Sequence, residues 1–188
     1  MEIVIRGAVV EDAELIADAH VQGWRVGYRG LVPDKFLDDQ RFAEARRVGW
    51  RSILSGQMPG ALGPLDQVFV PVVDDRVVGL GHVGLERASS ADGTHRGELH
   101  GFYVHPDYWG TGIADQLIAR CHEALDAFCG QAMLWVLRDN PRARRFYERN
   151  GWSCGVGVDL VEAEWVGPVM DRAPQLGRPL PEVEYRRP

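Results

Sequence analysis

The chain has 188 residues, 45% hydrophobic and 26% charged, with a net charge of −6. That size and composition suit one globular domain, so residues 1–188 are expected to form one. The acidic balance argues against broad attraction to nucleic acid or to an anionic membrane, and no apolar run approaches the ~20 residues of a membrane-spanning helix.

"EIVIRGAVV" reads as a first strand. The N-terminus has no basic start, apolar block or small-residue cleavage site, so no signal peptide is expected. "EDAELIADAHVQGW" is helical: acidic residues open it, and Leu15, Ile16, Ala19 and Trp24 fall near one face. "VGYRGLVPDKF" breaks that helix, and a second runs from Gln40 to Leu54. A Gly/Pro loop follows. Two strand runs then flank Asp74-Asp75, a hairpin turn. After the polar "SSADGTHRG", "ELHGFYVH" is a strand, followed by a helix to about Phe128. "AMLWVL" is a short buried strand. "NPRARRFYERNG" is a helix with Asn140 at the N-cap, Pro141 in the first turn and Gly151 just past the end. Beyond Trp152 only "WSCGVGVDLV" and "EVEYRR" read as strands. The order β-α-α-β-β-β-α-β-α-β-β predicts an α/β (mixed α+β) fold with helices packed on a sheet. Cys121, Cys129 and Cys154 are an odd set without a C-x-x-C, which reads as free thiols in a reducing cytoplasm.

The most informative stretch is "FYVHPDYWGTGIADQL", Phe102 to Leu117. Pro106 ends the strand, because it lacks an N–H and restricts His105 to extended geometry. From Ile113 on, Leu117, Ile118, Cys121, Leu125 and Phe128 recur at helical spacing. The first N–H groups of a helix have no partner within it and carry the positive end of its dipole. Gly110-Thr111-Gly112 opening such a helix is an anion site, above all for phosphate. A plain strand-to-helix turn with glycine for clearance is the simpler reading of the same residues.

"VHPDYWGTGIADQL" resembles the acyl-CoA pyrophosphate loop of the GNAT superfamily of N-acetyltransferases, Gln/Arg-x-x-Gly-x-Gly/Ala after a strand ending in Val-x-Pro. The departure is Trp109, where that family commonly has Gln or Arg. "LWVLRDNPRARRFYERNGW" resembles the family's second CoA segment, with Asn140, Ala143, Phe146, Tyr147, Gly151 and Trp152 in order and spacing. "IRGAVVEDAELIADAHVQGW" looks like its first strand and helix. The resemblance runs from about Ile3 to Trp152. It implies a mixed, mostly antiparallel sheet of six to seven strands, splayed between strands 4 and 5 and flanked by about four helices. It also implies acetyl-CoA as cosubstrate. The pantetheine arm would lie on Phe102, Tyr103 and Val104. The pyrophosphate would lie on the amides of Trp109, Gly110, Thr111, Gly112, Ile113, Ala114 and Asp115. Asn140 and Tyr147 would complete the contact.

For catalysis the resemblance implies Tyr147 as general acid to the CoA sulfur and a backbone N–H near Val104 as oxyanion donor. Tyr147 as a helix-face core residue is the plainer alternative. Glu98 stands where several members of that family place a general base. Strand alternation puts it on one face with His100, Phe102 and Val104, and His100 can relay a proton. Arg142, Arg144, Arg145 and Arg149 read mainly as a solvated basic face. "GLGHVG", Gly79 to Gly84, matches a dinucleotide fingerprint literally, but no helix follows, so it is read as a strand with close backbone packing. "HRGELH" is neither H-E-x-x-H nor H-x-x-E-H, and no metal is expected. The acceptor is a small-molecule or protein amine, bounded by the first two helices, the Ser89–Gly97 loop and the C-terminal segment. Trp24, Tyr28 and Trp50 line that cavity or belong to the core. A homodimer through C-terminal strands is left open. The rival reading is a non-catalytic CoA-binding sensor or assembly module.

Overall fold

The computed structural model describes residues 2–57, 62–86, 95–155, 161–163 and 180–188. The elements are β1 (Ile3–Gly7), α1 (Ala13–Gly27), α2 (Asp34–Leu37), α3 (Gln40–Leu54), β2 (Gln67–Val73), β3 (Arg76–Val77), β4 (Gly79–Leu85), β5 (Gly97–Val104), α4 (Ile113–Asp126), β6 (Ala132–Leu137), α5 (Pro141–Arg149), β7 (Ser153–Cys154), β8 (Val161–Ala163) and β9 (Leu180–Arg187). One sheet runs in the order β1-β2-β4-β5-β6-β9-β7, with β3 on β2 and β8 on β9. Among the described strands only β5 and β6 pair in parallel. Three strands are two or three residues long, and without them the expected six remain. The strands expected to splay are therefore β5 and β6, because β3 adds one to the count.

Local chemistry explains the punctuation. Asp74 and Asp75 both take positive φ (46° and 61°), the geometry of a two-residue hairpin turn that matches strand twist. The Asp39 carboxylate accepts from the Arg41 N–H at 2.8 Å at the start of α3. At the start of α1, Arg6 makes a two-pronged pair with Asp12, at 2.6 and 2.8 Å. Asp12 also accepts from the Val9 N–H.

Helices cover both faces. On one, α4 buries Ile113, Leu117, Ile118, Cys121 and Leu125 against Phe69, Val83, Leu99, Val104 and Leu134. On the other, Ile16 and Ala17 of α1 and Trp50 of α3 pack on Val68, Val70 and Leu80. Successive residues of β2, Val68 to Val70, thus go to opposite cores, as a strand buried on both sides requires. A third cluster, around Trp24, Phe36 and Phe42, reaches across to Leu137 at the end of β6. Trp24 and Trp50 are core residues, 0% and 7% exposed. Among the described residues no helix is long and apolar enough to cross a membrane.

One packing contact carries a pH signature. The Trp152 indole N–H donates to His122 Nε2 at 2.9 Å, which requires a neutral imidazole. Burial first, and Arg187 second, hold the His122 pKa down to about 4. The unfolded chain then binds the proton more readily than the folded one. Stability from this pair is complete above an unfolded pKa of about 6.5 and is lost as pH falls towards 4. Thermal melts between those limits should show the midpoint falling with pH, and His122→Gln should flatten that dependence.

Candidate functional site

β5 and β6 pair at only two positions, Gly97 with Ala132 and Glu98 with Met133. Among the described residues, the β6 side of β5 has no strand partner from Leu99 to Val104, so the described sheet opens into a gap there. Tyr103 stacks on His20 of α1 at 4.2 Å between ring centres. Phe102 faces the other way and stacks on Phe146 of α5 at 5.3 Å. The strand expected to receive the pantetheine arm therefore lies along the open edge.

At the end of that edge the chain turns into α4. Gly110 and Gly112 have φ of 79° and 84°, a region that side-chain-bearing residues rarely enter. A Cβ on either would meet nothing within 4 Å, so glycine is required by backbone geometry and the space above the turn is open. No side chain caps the helix. Its first backbone bond runs from the Gln116 N–H to the Gly112 carbonyl, which leaves the amides of Ile113, Ala114 and Asp115 as the helix's unpaired first donors. The Asp115 carboxylate is drawn aside by Arg149 and Asn150, at 3.5 and 3.4 Å. The Thr111 hydroxyl braces the turn by donating to the Tyr108 carbonyl at 2.7 Å.

Trp109 has a structural explanation. Its indole N–H donates to the Val104 carbonyl at 2.8 Å, tying the turn to the strand end. The Arg142 guanidinium lies 3.2 Å from the centre of the indole ring, a cation–π contact that brings a positive charge beside the loop. The reading of the arginines as a mainly solvated face holds for Arg142, Arg145 and Arg149, which are exposed, while Arg144 is half-buried. Arg142 stacks on Trp109, and Arg149 reaches Asp115. Arg144 donates to the Tyr185 hydroxyl and to the Arg138 carbonyl.

Asn140 caps α5, its side-chain oxygen accepting from the Ala143 N–H at 3.1 Å, and Gly151 ends the helix at φ 84°. Between them α5 sets Tyr147 beside Phe102 of β5, with ring-centre distances of 6.4 Å to both Phe102 and Trp152. Desolvation holds the Tyr147 phenol above its ordinary range, and Tyr103 and Cys121 push the same way. Burial also pushes the Cys121 thiol up to about 12, so it is a packing residue and not a nucleophile.

The strand-face expectation for Glu98 and His100 fails in one respect. Opposite β4, Gly101 pairs with His82 and Leu99 with Val83, so His100 is an extra residue in a β-bulge. A bulge resets alternation. Phe102, Val104 and Leu99 all pack towards α4. His100 lies instead against His82, 4.8 Å between rings, and His82 meets Trp50 of α3 edge-on. Glu98 follows His100, Oε1 to Nδ1 at 3.2 Å. Strict counting missed this because an inserted residue leaves no mark in the hydrophobic pattern. It also missed Asp66 and His82, which join this group from β2's approach and from β4. Most of the Ser89–Gly97 loop, and the C-terminal segment from 156 to 160 and from 164 to 179, lie outside the described residues.

The sequence model of the acetyltransferase (GNAT) family matches residues 29–152. An uncharacterized N-acetyltransferase of Archaeoglobus fulgidus is 37% identical over 83 residues, 44% of this chain and 56% of that protein. The uncharacterized N-acetyltransferase YuaI of Bacillus subtilis is 26% identical over 140 residues, 74% of each. A thialysine N-epsilon-acetyltransferase of Bos taurus is 42% identical over 67 residues, 35% of this chain and 36% of that one. The match to the archaeal relative thus spans about half its length and that to the bovine one about a third. The PaiA N-acetyltransferase of Thermoplasma acidophilum, solved with coenzyme A, superposes with a TM-score of 0.69 at 15% identity, covering 100% of this chain and 99% of that one. That likeness concerns the fold. With two thirds of its length matched by the family model, the chain belongs to the acetyltransferase (GNAT) family.

Proposed function

We propose that this protein is an N-acetyltransferase that transfers the acetyl group of acetyl-CoA to a primary amine by direct attack in a ternary complex, within a single domain. The observation that carries the reading is the gap between β5 and β6, closed at one end by an uncapped helix N-terminus behind Gly110 and Gly112. An open strand edge suits the amides of a pantetheine arm, and the α4 amides suit a pyrophosphate. Family membership and the names of the relatives support the same activity.

The roles follow from position. Phe102, Tyr103 and Val104 hold the arm. Trp109 to Asp115 hold the phosphate end, with Arg142 adding charge, and Asn140 adds a further contact to the cofactor. A neutral amine attacks the thioester carbonyl, and a backbone N–H near Val104 stabilises the oxyanion. Tyr147 gives its proton to the departing thiolate. Glu98, beside the bulge, takes the proton released by the amine. The acidic balance, and the name of the bovine relative, favour a cationic amine as acceptor.

A thiol-release assay with acetyl-CoA and a panel of amines tests the reading. Tight calorimetric binding with no turnover on any amine would instead support a CoA-binding module. The loop has its own test. Gly112→Asp forces a side chain into positive φ and sets a carboxylate at the proposed pyrophosphate position. Acetyl-CoA affinity should fall at least tenfold, about 1.4 kcal/mol. Unchanged affinity in the folded variant would remove the loop from the cofactor site.

A further inference from the structure

Three segments distant in sequence deliver Asp66, His82 and His100 to one buried point, where one ligand atom of each lies within 4.8 Å of the others. The side chains are only 7%, 7% and 6% exposed. His82 Nε2 stands 3.1 Å from Asp66 Oδ2. On the far side of His100, Nδ1 stands 3.2 Å from Glu98 Oε1. A neutral imidazole that keeps its proton on Nδ1 for Glu98 presents a bare lone pair at Nε2. That Nε2 is buried and has no hydrogen-bond partner among the described residues. It faces the same small space as Asp66: a Cβ on Gly84 would sit 1.9 Å from Asp66 Oδ1 and 2.9 Å from His100 Nε2. The glycine of "GLGHVG" thus keeps the space clear, and the β-bulge turns His100 into it.

A proton shared by Asp66 and His82 satisfies that pair and leaves His100 Nε2 unanswered, which is costly for a buried nitrogen. A divalent cation answers all three groups at once. We propose that Asp66, His82 and His100 bind a transition-metal dication of the zinc type. Two imidazoles and one carboxylate are the donor set such an ion prefers over magnesium or calcium. Three protein ligands leave a coordination position for water or an amine. Glu98 is a positioning residue in this site: its contact at Nδ1 fixes the ring and directs Nε2 to the ion. Bonds of about 2.0–2.2 Å require the three ligand atoms to draw together by small side-chain rotations. This replaces the expectation that the chain binds no metal. That expectation considered His95, Glu98 and His100 along one strand, whereas the donors converge from three segments.

The inference goes beyond acetyl transfer and is tested by binding alone. Full-length protein without a histidine tag is stripped with chelator and titrated with Zn²⁺ by calorimetry and with Co²⁺ by visible absorption. One equivalent should bind, and the Co²⁺ form should show ligand-field bands of low-symmetry, four- or five-coordinate geometry. Asp66→Asn and His100→Gln should each weaken binding at least tenfold, and Glu98→Gln by about 10–100-fold. His95→Gln should leave it unchanged. Circular dichroism reports whether each variant is folded. Absence of stoichiometric binding by the wild-type protein overturns the proposal without recourse to any variant. So does wild-type affinity in folded Asp66→Asn and His100→Gln.

Discussion

Tyr147→Phe is expected to lower turnover roughly 10- to 1,000-fold while leaving acetyl-CoA affinity and stability nearly unchanged, since general acid catalysis contributes on the order of 10²–10⁴ at most. The substitution removes one oxygen and keeps the ring, which packs beside Phe102, Phe146 and Trp152. The raised phenol pKa has a kinetic consequence. A tyrosine of ordinary pKa, about 10, begins to lose its proton in mildly alkaline solution. Desolvated Tyr147 keeps its proton beyond that point, so the wild-type rate should show no alkaline loss from this group up to pH ~10. Leaving-group chemistry supplies an internal check. An acyl donor whose thiol is more acidic needs less help from an acid and should restore the variant selectively. Equal rates for variant and wild type on a true acceptor would return Tyr147 to the packing inventory.

How much of this could be read without coordinates depends on the range of the forces involved. Local signals were largely legible, although α2 falls in a stretch read as a break. Gln40–Leu54 and Ala132–Leu137 have the bounds that periodicity predicts. Asn140 caps α5, and Gly151 ends it. These features depend on residues a few positions apart, where side-chain and backbone chemistry is decided locally. The glycine turn that opens α4 was legible for the same reason. The bulge at His100 was not, because it arises from pairing between β4 and β5. Glu98 and His100 were found as residues but assigned a face shared with Phe102 and Val104. Asp66 and His82 carried no signal, since their relation to His100 exists only once three segments meet. Trp109 was legible as a departure, but its bond to Val104 and its stack with Arg142 needed the fold.

The aromatic residues of the first helix pose the other question of magnitude. Trp24→Ala should destabilise the protein by about 3–5 kcal/mol, the usual cost of deleting a fully buried tryptophan. Trp24 is 0% exposed, and its ring lies 4.6 Å from Tyr28 and 5.3 Å from Phe42, centre to centre. A domain of this size holds about 5–15 kcal/mol in total, so one substitution removes a large share. In urea the midpoint should drop with little change in slope, because the surface exposed on unfolding is nearly the same. The effect should also reach the site. The Trp24 cluster includes Leu137 at the end of β6 and touches Tyr103 on β5, so it props the gap on both sides. If acetyl-CoA binds there, saturating cofactor should restore stability in the variant, by about 2.7 kcal/mol at a hundred times its dissociation constant. A tryptophan that instead lined the amine cavity would give the opposite pattern: stability within about 1 kcal/mol of wild type, intact cofactor binding and a changed preference among amines. Chemical denaturation with and without acetyl-CoA, followed by the amine panel on the folded variant, distinguishes the two outcomes.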